Sequence, residues 1–154
     1  MQQTAYAVDD RRREVEQDII IELLRLSDSD FATHEQLKLR LRVGSTVIKD
    51  ALQRLRARRV ININGDYIKA RNRIEARKTL DALASVVADV LVSTYPKVLT
   101  LAEVANECER DLNLPDERHE IELALRWITD DELAAHREGW IATRPAVRAA
   151  ELTF

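Results

Sequence analysis

The sequence has little of several residue types, and each shortage excludes a class of protein. A single cysteine, Cys108, cannot form an internal disulfide; this favours a reducing compartment, so we expect a cytoplasmic protein. The three histidines are scattered, and no Cys/His cluster has the spacing of a structural zinc site. The chain has only three glycines and no glycine-rich phosphate loop. The sequence also shows no supported arrangement of a catalytic nucleophile with a general base. We therefore predict neither an enzyme nor a metal or cofactor site.

Long hydrophobic runs are also missing. The longest apolar stretch, residues 82–92, is interrupted by Ser85 and Asp89, and it is far shorter than the roughly 20 residues that span a bilayer. We therefore expect no membrane anchor. With 154 residues, 45% of them hydrophobic and 33% charged, the chain is expected to fold as one ordinary domain or two very small ones.

Charge is distributed unevenly along the chain. Residues 31–78 contain thirteen Lys or Arg and four Asp or Glu, although the whole chain has a net charge of −3. Residues 51–65 contain no acidic residue at all. The alternative explanation is an ordinary solvated helical face, but such a face would interleave acidic partners. The imbalance indicates a local positive field that suits an anionic partner.

Apolar periodicity and turn residues predict three helices and a hairpin in the first half. A first helix covers residues 15–26, and a capping box of Thr33 and Gln36 starts a second one. After a corner at Val43-Gly44, a third helix is expected over residues 45–58. Its predicted inward face consists of Ile48, Ala51, Leu52 and Leu55. The β-branched run 60–63, the dipeptide Asn64-Gly65 and the return through residues 67–71 predict a β-hairpin.

The second half repeats this pattern weakly. Residues 51–70 align without a gap on residues 124–143, and Thr100 with Glu103 predicts a second capping box. Between the halves, an apolar helix is expected over residues 74–94, with a polar stripe of Asp81, Ser85, Asp89 and Ser93. Such a helix is expected to pack between the two units, between two subunits, or both. The predicted domains are residues 11–73 and residues 74–148.

The first half resembles the winged helix-turn-helix superfamily of bacterial DNA-binding regulators. The motif GSTVIKDALQRL, residues 44–55, is similar to the turn and recognition helix of GntR-type repressors, and the resemblance covers residues 15–73. Arg59 stands where those families often have glycine. The predicted fold is therefore mostly α with small β-hairpin wings, as two tandem winged helix-turn-helix units joined by a long apolar helix.

The resemblance implies a DNA-binding mode for the first unit. The third helix would enter the major groove, where four side chains could reach base edges: Ser45, Thr46, Lys49 and Gln53. Arginines beside that helix would contact phosphates, among them Arg42, Arg54 and Arg56. On the returning strand of the wing, Lys69, Arg71 and Arg73 would alternate and share one face toward the DNA backbone.

The second unit departs from this pattern because its third helix is acidic. Seven carboxylates in and after it would repel phosphates: Asp116, Glu117, Glu120, Glu122, Asp130, Asp131 and Glu132. We expect a winged helix kept for packing or for contact with a protein partner, and a plain solvated surface is about equally plausible. The aromatic residues Trp127 and Trp140 are expected in its core rather than at an interface.

The favoured hypothesis is a sequence-specific duplex-DNA-binding protein, a transcriptional regulator that acts as a homodimer on a palindromic operator. Two alternatives remain open. One is a tandem winged-helix adaptor, similar to the accessory subunits of bacterial condensins, that binds a protein and touches DNA weakly. The other is a replication initiator of the plasmid or phage type.

Overall fold

A computed structural model describes residues 2–27, 29–112 and 118–152 of the chain. It is mostly helical, with two small antiparallel sheets. The chain divides into two compact units, residues 1–77 and 78–154. The boundary lies four residues after the one predicted from the sequence, inside a long helix that starts in the first unit and continues in the second.

The first unit contains three helices and three short strands. In chain order these are α1 (Gln2–Arg25), β1 (Ala32–Thr33), α2 (His34–Leu41), α3 (Ser45–Ala57), β2 (Ile61–Asn64) and β3 (Tyr67–Ala70). Helix α1 begins thirteen residues before the predicted start at residue 15. The predicted bounds of α2, α3 and the hairpin agree with the structure to within about two residues.

The core of this unit forms where the predicted apolar faces meet. All four residues of the predicted inward face of α3 are buried, and Ile48, Ala51 and Leu55 are fully inaccessible. They pack in one cluster with Ile19 and Leu23 of α1, Leu37 of α2, and Ile61 and Ile68 of the hairpin. Because each helix and the sheet contributes one apolar face, burial of these faces fixes the orientation of α3.

The predicted capping box at the start of α2 is confirmed. The backbone N–H of Gln36 donates to the Thr33 hydroxyl at 3.2 Å, and the backbone N–H of Thr33 donates to the Gln36 amide oxygen at 3.0 Å. These two bonds satisfy backbone N–H groups that have no partner within the helix. Thr33 also lies in β1, so the cap joins α2 directly to the sheet.

The sheet has the strand order β1-β3-β2 and is antiparallel throughout. Asn64 pairs with Tyr67, so the two-residue loop of the hairpin is Gly65-Asp66 and not Asn64-Gly65 as the sequence predicted. Gly65 has a φ of 64°, which glycine adopts without steric cost at the first position of a tight hairpin turn. The strand β1 was not predicted, because two residues are too short to show periodicity.

Within its described residues, the second unit contains four helices and two strands. They are α4 (Arg73–Thr94), α5 (Leu101–Leu112), α6 (Arg118–Asp130), β4 (Ala134–His136), β5 (Trp140–Ala142) and α7 (Arg144–Leu152). The predicted polar stripe of α4 is exposed at all four positions. Five of its other residues are buried within the chain, namely Leu80, Ala84, Val87, Val90 and Leu91.

The second unit repeats the element order of the first, as the sequence alignment predicted. Helix α6 is thirteen residues long, as α3 is, and it begins 73 positions later in the chain. The predicted capping box of α5 is present, with reciprocal bonds of 3.2 Å between Thr100 and Glu103. Leu99 exchanges backbone hydrogen bonds of 2.8 and 2.7 Å with Trp140, in the place where β1 pairs with β3 in the first unit.

The hairpin of the second unit differs in its loop, residues 137–139, which is one residue longer. Gly139 lies next to the backbone of Leu99, and a Cβ atom on it would stand 2.6 Å from the Leu99 carbonyl oxygen. Glycine is therefore required here for a close backbone approach. The predicted corner at residues 113–116 lies outside the described part of the chain.

No helix in the described residues is both long enough and apolar enough to cross a membrane.

Candidate nucleic-acid interface

The outward face of α3 is the first component of the candidate site. Thr46, Lys49, Gln53 and Arg56 are all exposed, and their spacing of three and four residues places them on one side of the helix. Ser45 is half-buried at the first helical position. The N-cap residue Gly44 has no atom within 4 Å of a Cβ built on it, so the start of α3 is open. An ammonium, a guanidinium, an amide and a hydroxyl are thus available on one face.

The turn before α3 contributes Arg42, which ends α2 in the left-handed conformation with a φ of 54°. Its backbone N–H donates to the carbonyl oxygen of Lys38, which closes the last turn of α2. The Arg42 side chain is exposed. The cost of this backbone conformation, about 1 to 2 kcal/mol for a residue with a Cβ, is offset by the compact turn between α2 and α3.

The hairpin contributes Lys69 and Arg71, both exposed. Lys69 pairs with Asn62 across the sheet, and its neighbours Ile68 and Ala70 face the other way. Arg71 follows the last residue of β3, and its backbone N–H donates to the Val60 carbonyl oxygen at 2.9 Å. This bond extends the ladder by one residue, so Lys69 and Arg71 share a face as predicted.

The prediction that Arg73 continues this alternation is wrong. Strand β3 ends at Ala70, and Arg73 is the first residue of α4. Its guanidinium donates to the carbonyl oxygen of Leu24, near the end of α1, at 3.1 Å. The half-buried side chain thus ties α4 to α1 within the first unit, where it satisfies a carbonyl at a helix end.

Arg54 is positioned differently from the other predicted arginines. Its Nε lies 2.7 Å from a Glu16 carboxylate oxygen, and the exposed fractions of the two side chains are 33% and 14%. Arg58 lies 3.6 Å from the other oxygen of the same carboxylate. Glu16 belongs to α1, so one partly buried carboxylate binds two arginines of the α3 region to the helix behind it.

Five predicted basic residues remain directed to solvent: Arg42, Lys49, Arg56, Lys69 and Arg71. None of them forms an ion pair with any residue that the structure describes. Two lie on the hairpin, and three lie on α3 or in the turn before it. The carboxylates of Glu16 and Glu22 in the same unit are engaged with Arg54 and Arg40. The structure thus separates predicted side chains that are already paired from those that are available to a ligand.

Two contributors to the candidate site were not predicted from the sequence. One is Glu16, whose pairing with Arg54 links residues 38 positions apart and leaves no local signal. The other is an exposed aromatic pair at the sheet, formed by Phe31 and Tyr67 with ring centroids 4.1 Å apart. The cross-strand register of β1 and β3 explains this contact, and a prediction of β1 would have suggested it.

The equivalent face of the second unit is not available in the same way. Glu122, which occupies the position of Lys49, is 8% exposed, and Arg126, in the position of Gln53, is half-buried. Trp127 is buried, as predicted for a core residue, whereas Trp140 is half-buried and stacks on His136 with ring centroids 4.3 Å apart. Of the predicted acidic set, Asp116 and Glu117 lie outside the described residues, and Asp130, Asp131 and Glu132 are exposed.

One carboxyl group in the second unit has a perturbed pKa. The backbone N–H of Thr100 donates to Glu103, and together with the Lys97 ammonium at 3.3 Å it lowers the pKa of that carboxyl. This is the effect of a capping box on an exposed side chain, and it indicates no catalytic role. Within the described ranges, no three His, Cys, Asp or Glu side chains are grouped so as to hold a metal ion.

Comparison of the chain with models of known protein families and with curated proteins finds no match.

Proposed function

We propose that the two units are tandem winged helices and that the first binds duplex DNA in a sequence-specific way, as a transcriptional regulator that acts as a dimer. The order of helix, tight turn, helix and basic hairpin in the first unit supports the fold. The order of two helices followed by a two-stranded hairpin recurs in the second unit, from α5 to β5, which supports the tandem arrangement.

The observation that carries the proposal is the state of the charges on α3. Lys49 and Arg56 are exposed and unpaired within the described residues, while Arg54 and Arg58 are held by Glu16 on the opposite side. A solvated helix stabilised by its own ion pairs would show carboxylates beside Lys49 and Arg56 at three- and four-residue spacing. On α3 the only carboxylate is Asp50, which precedes the basic stretch.

In this proposal, α3 lies in the major groove with its N-terminal half toward the bases. Lys49 bonds guanine acceptors and Gln53 bonds adenine, where a well-formed bidentate contact is worth roughly 1–3 kcal/mol of discrimination. Arg42, Arg56, Lys69 and Arg71 contact phosphates, which position the protein without reading the sequence. Arg54 and Arg73 act indirectly, because their contacts to Glu16 and Leu24 hold the helices that carry the other side chains.

The experiment is fluorescence anisotropy of random-sequence duplexes titrated with the full chain at several salt concentrations, followed by selection of a preferred site. Affinity should fall steeply with salt, with a log–log slope of about −0.9 per phosphate contact. Gln53→Ala should reduce preference for the selected site, and Lys69→Ala should weaken binding to all sequences and reduce the slope by about 1. Arg148→Ala, an exposed charge in the second unit, serves as the control and should change neither. No binding at low salt would contradict the proposal.

One observation favours a second candidate function, a protein-interaction adaptor. On the face of α6 that corresponds to the DNA-reading face of α3, Glu122 is buried in the folded chain and Arg126 is half-buried, whereas His119 is exposed. A unit that keeps the architecture but not the open face is suited to packing or to a protein contact. If this alternative is correct, the variants Lys49→Ala and Gln53→Ala keep the adaptor function. Loss of sequence-selective DNA binding in those variants would exclude the alternative.

A further inference from the structure

The outer face of the three-stranded sheet carries a set of side chains that the α3 contacts do not use. Asn62 pairs with Lys69 and Asn64 with Tyr67, and residues directly opposite across a sheet project from the same face. All four are exposed, whereas Ile61 and Ile68 face the core. The face therefore presents an aromatic ring, an ammonium and two amides from adjacent strands.

Two aromatic rings are retained at the surface of this face. Tyr67 is 52% exposed and Phe31 is 41% exposed. Their rings meet edge to face at an angle of 62°, so Phe31 supports the Tyr67 ring from one side. Large aromatic rings are usually buried, yet these two stay exposed. Neither is needed to fill the core, because the core is formed by the opposite face of the sheet.

The charge around these rings is positive. Lys69 and Arg71 follow Tyr67 at alternate positions, and both side chains are exposed without an ion pair to any described residue. Asp66 is the only acidic residue in the sequence from residue 51 to residue 74. A ring and two cations on one extended strand suit a ligand with flat apolar faces joined by anionic groups.

We propose that this sheet face binds unpaired nucleotides, with a base stacked on Tyr67 and adjacent phosphates bound by Lys69 and Arg71. In a duplex the faces of the bases are covered by stacking, so an aromatic platform can be used only by a strand that is unpaired. The amides of Asn62 and Asn64 would hydrogen-bond the exposed edges of such bases. The inference rests on the proposed function of the first unit as a nucleic-acid-binding unit. It extends the DNA-binding surface of that unit onto the sheet, because Lys69 and Arg71 belong to both sets of contacts.

The test uses the full chain and three labelled DNAs of one sequence. They are a blunt duplex, the same duplex with a single-stranded thymidine tail of about ten nucleotides, and the same duplex with an abasic tail of that length. The two tails carry equal charge and differ only in their bases. Wild-type protein should bind the thymidine tail about tenfold more tightly than the abasic tail, as expected for stacking of one base.

Variants assign this preference to the sheet face. Tyr67→Ala should abolish it and Tyr67→Phe should keep it, whereas Lys69→Ala should weaken binding to both tails equally. Ile74→Ala, which removes an apolar side chain that is 56% exposed on α4, is the matched control. Equal affinity for the two tails, or a preference for the thymidine tail that survives Tyr67→Ala, overturns the inference. In that case, binding to the blunt duplex would still support the proposed function. Binding to the thymidine tail without binding to the blunt duplex supports the inference and contradicts the duplex proposal.

Discussion

Arg59 and Glu132 adopt left-handed backbone conformations at equivalent positions of the two units, with φ values of 60° and 62°. Each lies two residues after the last residue of a helix, Ala57 of α3 or Asp130 of α6, in a hydrogen-bonded motif of the same form. The N–H of Val60 donates to the carbonyl of Leu55, and the N–H of Leu133 donates to that of Ile128. Glycine is the usual residue at this position because it has no Cβ to clash. Both helix ends thus carry a strained residue that the rest of the motif maintains.

We expect Arg59→Gly and Glu132→Gly each to stabilise the protein by roughly 1 kcal/mol, because each substitution relieves the left-handed strain. Urea denaturation followed by circular dichroism measures the change. The pair is informative because the two substitutions change the net charge in opposite directions. Destabilisation by either variant would mean that the side chain contributes more than the strain costs.

The two capping boxes differ in the residue that accepts the hydrogen bond, and this difference makes the stability contributed by the second box depend on pH. In the first unit the side chain that accepts from the N-cap N–H is the amide of Gln36, and in the second it is the carboxylate of Glu103. Only Glu103 titrates, and its pKa is lowered by the Thr100 N–H and by Lys97. A carboxyl whose folded-state pKa is depressed stabilises the fold above its unfolded pKa and loses this contribution as pH falls through the folded value.

We therefore expect Glu103→Gln to lower the free energy of unfolding at neutral pH. The effect should shrink as pH falls below the ordinary glutamate pKa of 4.5, and it should be lost below the depressed folded-state pKa of Glu103. Gln still accepts the capping bond, so the difference measures the charge interaction with Thr100 and Lys97. Denaturation at pH 7 and at acidic pH, for wild type and variant, provides the comparison. A difference that does not shrink in acid would show that the charge is not the cause.

At the scale of elements, α1 decides which positive charges the first unit presents. It contributes Glu16 to Arg54 and Arg58, and Glu22 to Arg40 at 3.1 Å. Because the Glu16 side chain is only 14% exposed, its pair with Arg54 is better shielded from solvent than most surface ion pairs. The positive field of the unit is thereby concentrated on the outer face of α3 and on the hairpin.

Glu16→Gln should release Arg54 and Arg58, so binding to random duplexes should strengthen and the salt slope should steepen by about 1 to 2. Stability should fall by about 1 kcal/mol or less. Glu35→Gln is the control, since it removes one negative charge of the same unit from an exposed position without an ion pair to the described residues. If both variants change the slope equally, net charge and not the release of the arginines is responsible.

At the scale of the whole molecule, the two units combine one architecture with opposite charge. Residues 1–78 have a net charge of +5 and residues 79–154 a net charge of −8. The apolar residues of α4 were expected to pack between the two units, between two subunits, or both. Five residues of α4 are buried within a single chain, and the predicted polar stripe stays exposed. Among the apolar side chains of the second unit that are more exposed is Leu133, at 42%, and we expect a dimer to use such side chains.

A dimer that binds a palindromic site should sediment at twice the monomer mass and protect two half-sites about 34–36 Å apart, or a multiple of that distance. Sedimentation velocity and footprinting on the selected site measure the two quantities. A monomer that protects a single half-site would contradict the dimer while leaving the groove contacts of α3 intact.

Much of the first unit could be predicted from the sequence, because its signals are local. The inward face of α3, the capping box of α2 and the hairpin depend on residues that are close together in the sequence. All three were confirmed, except that the hairpin loop is Gly65-Asp66 and not Asn64-Gly65. Strand β1 could not be predicted, because its two residues are extended only through pairing with β3. The placement of Arg73 was wrong because its contact to Leu24 joins residues 49 positions apart, and such a contact has no local signal in the sequence.

The sequence by itself determined helices α1 to α6, the repeat of their order and the separation of charge between the halves, since periodicity and composition are properties of the chain. Helix α7 was not predicted. Tertiary structure alone decided which arginines are available. Arg54 and Arg56 are two residues apart and alike in sequence, yet Arg54 is paired with Glu16 while Arg56 is exposed. The difference arises because burial of Ile48 and Leu55 fixes the rotation of α3 about its own axis. This rotation turns Arg54 toward α1 and Arg56 toward solvent.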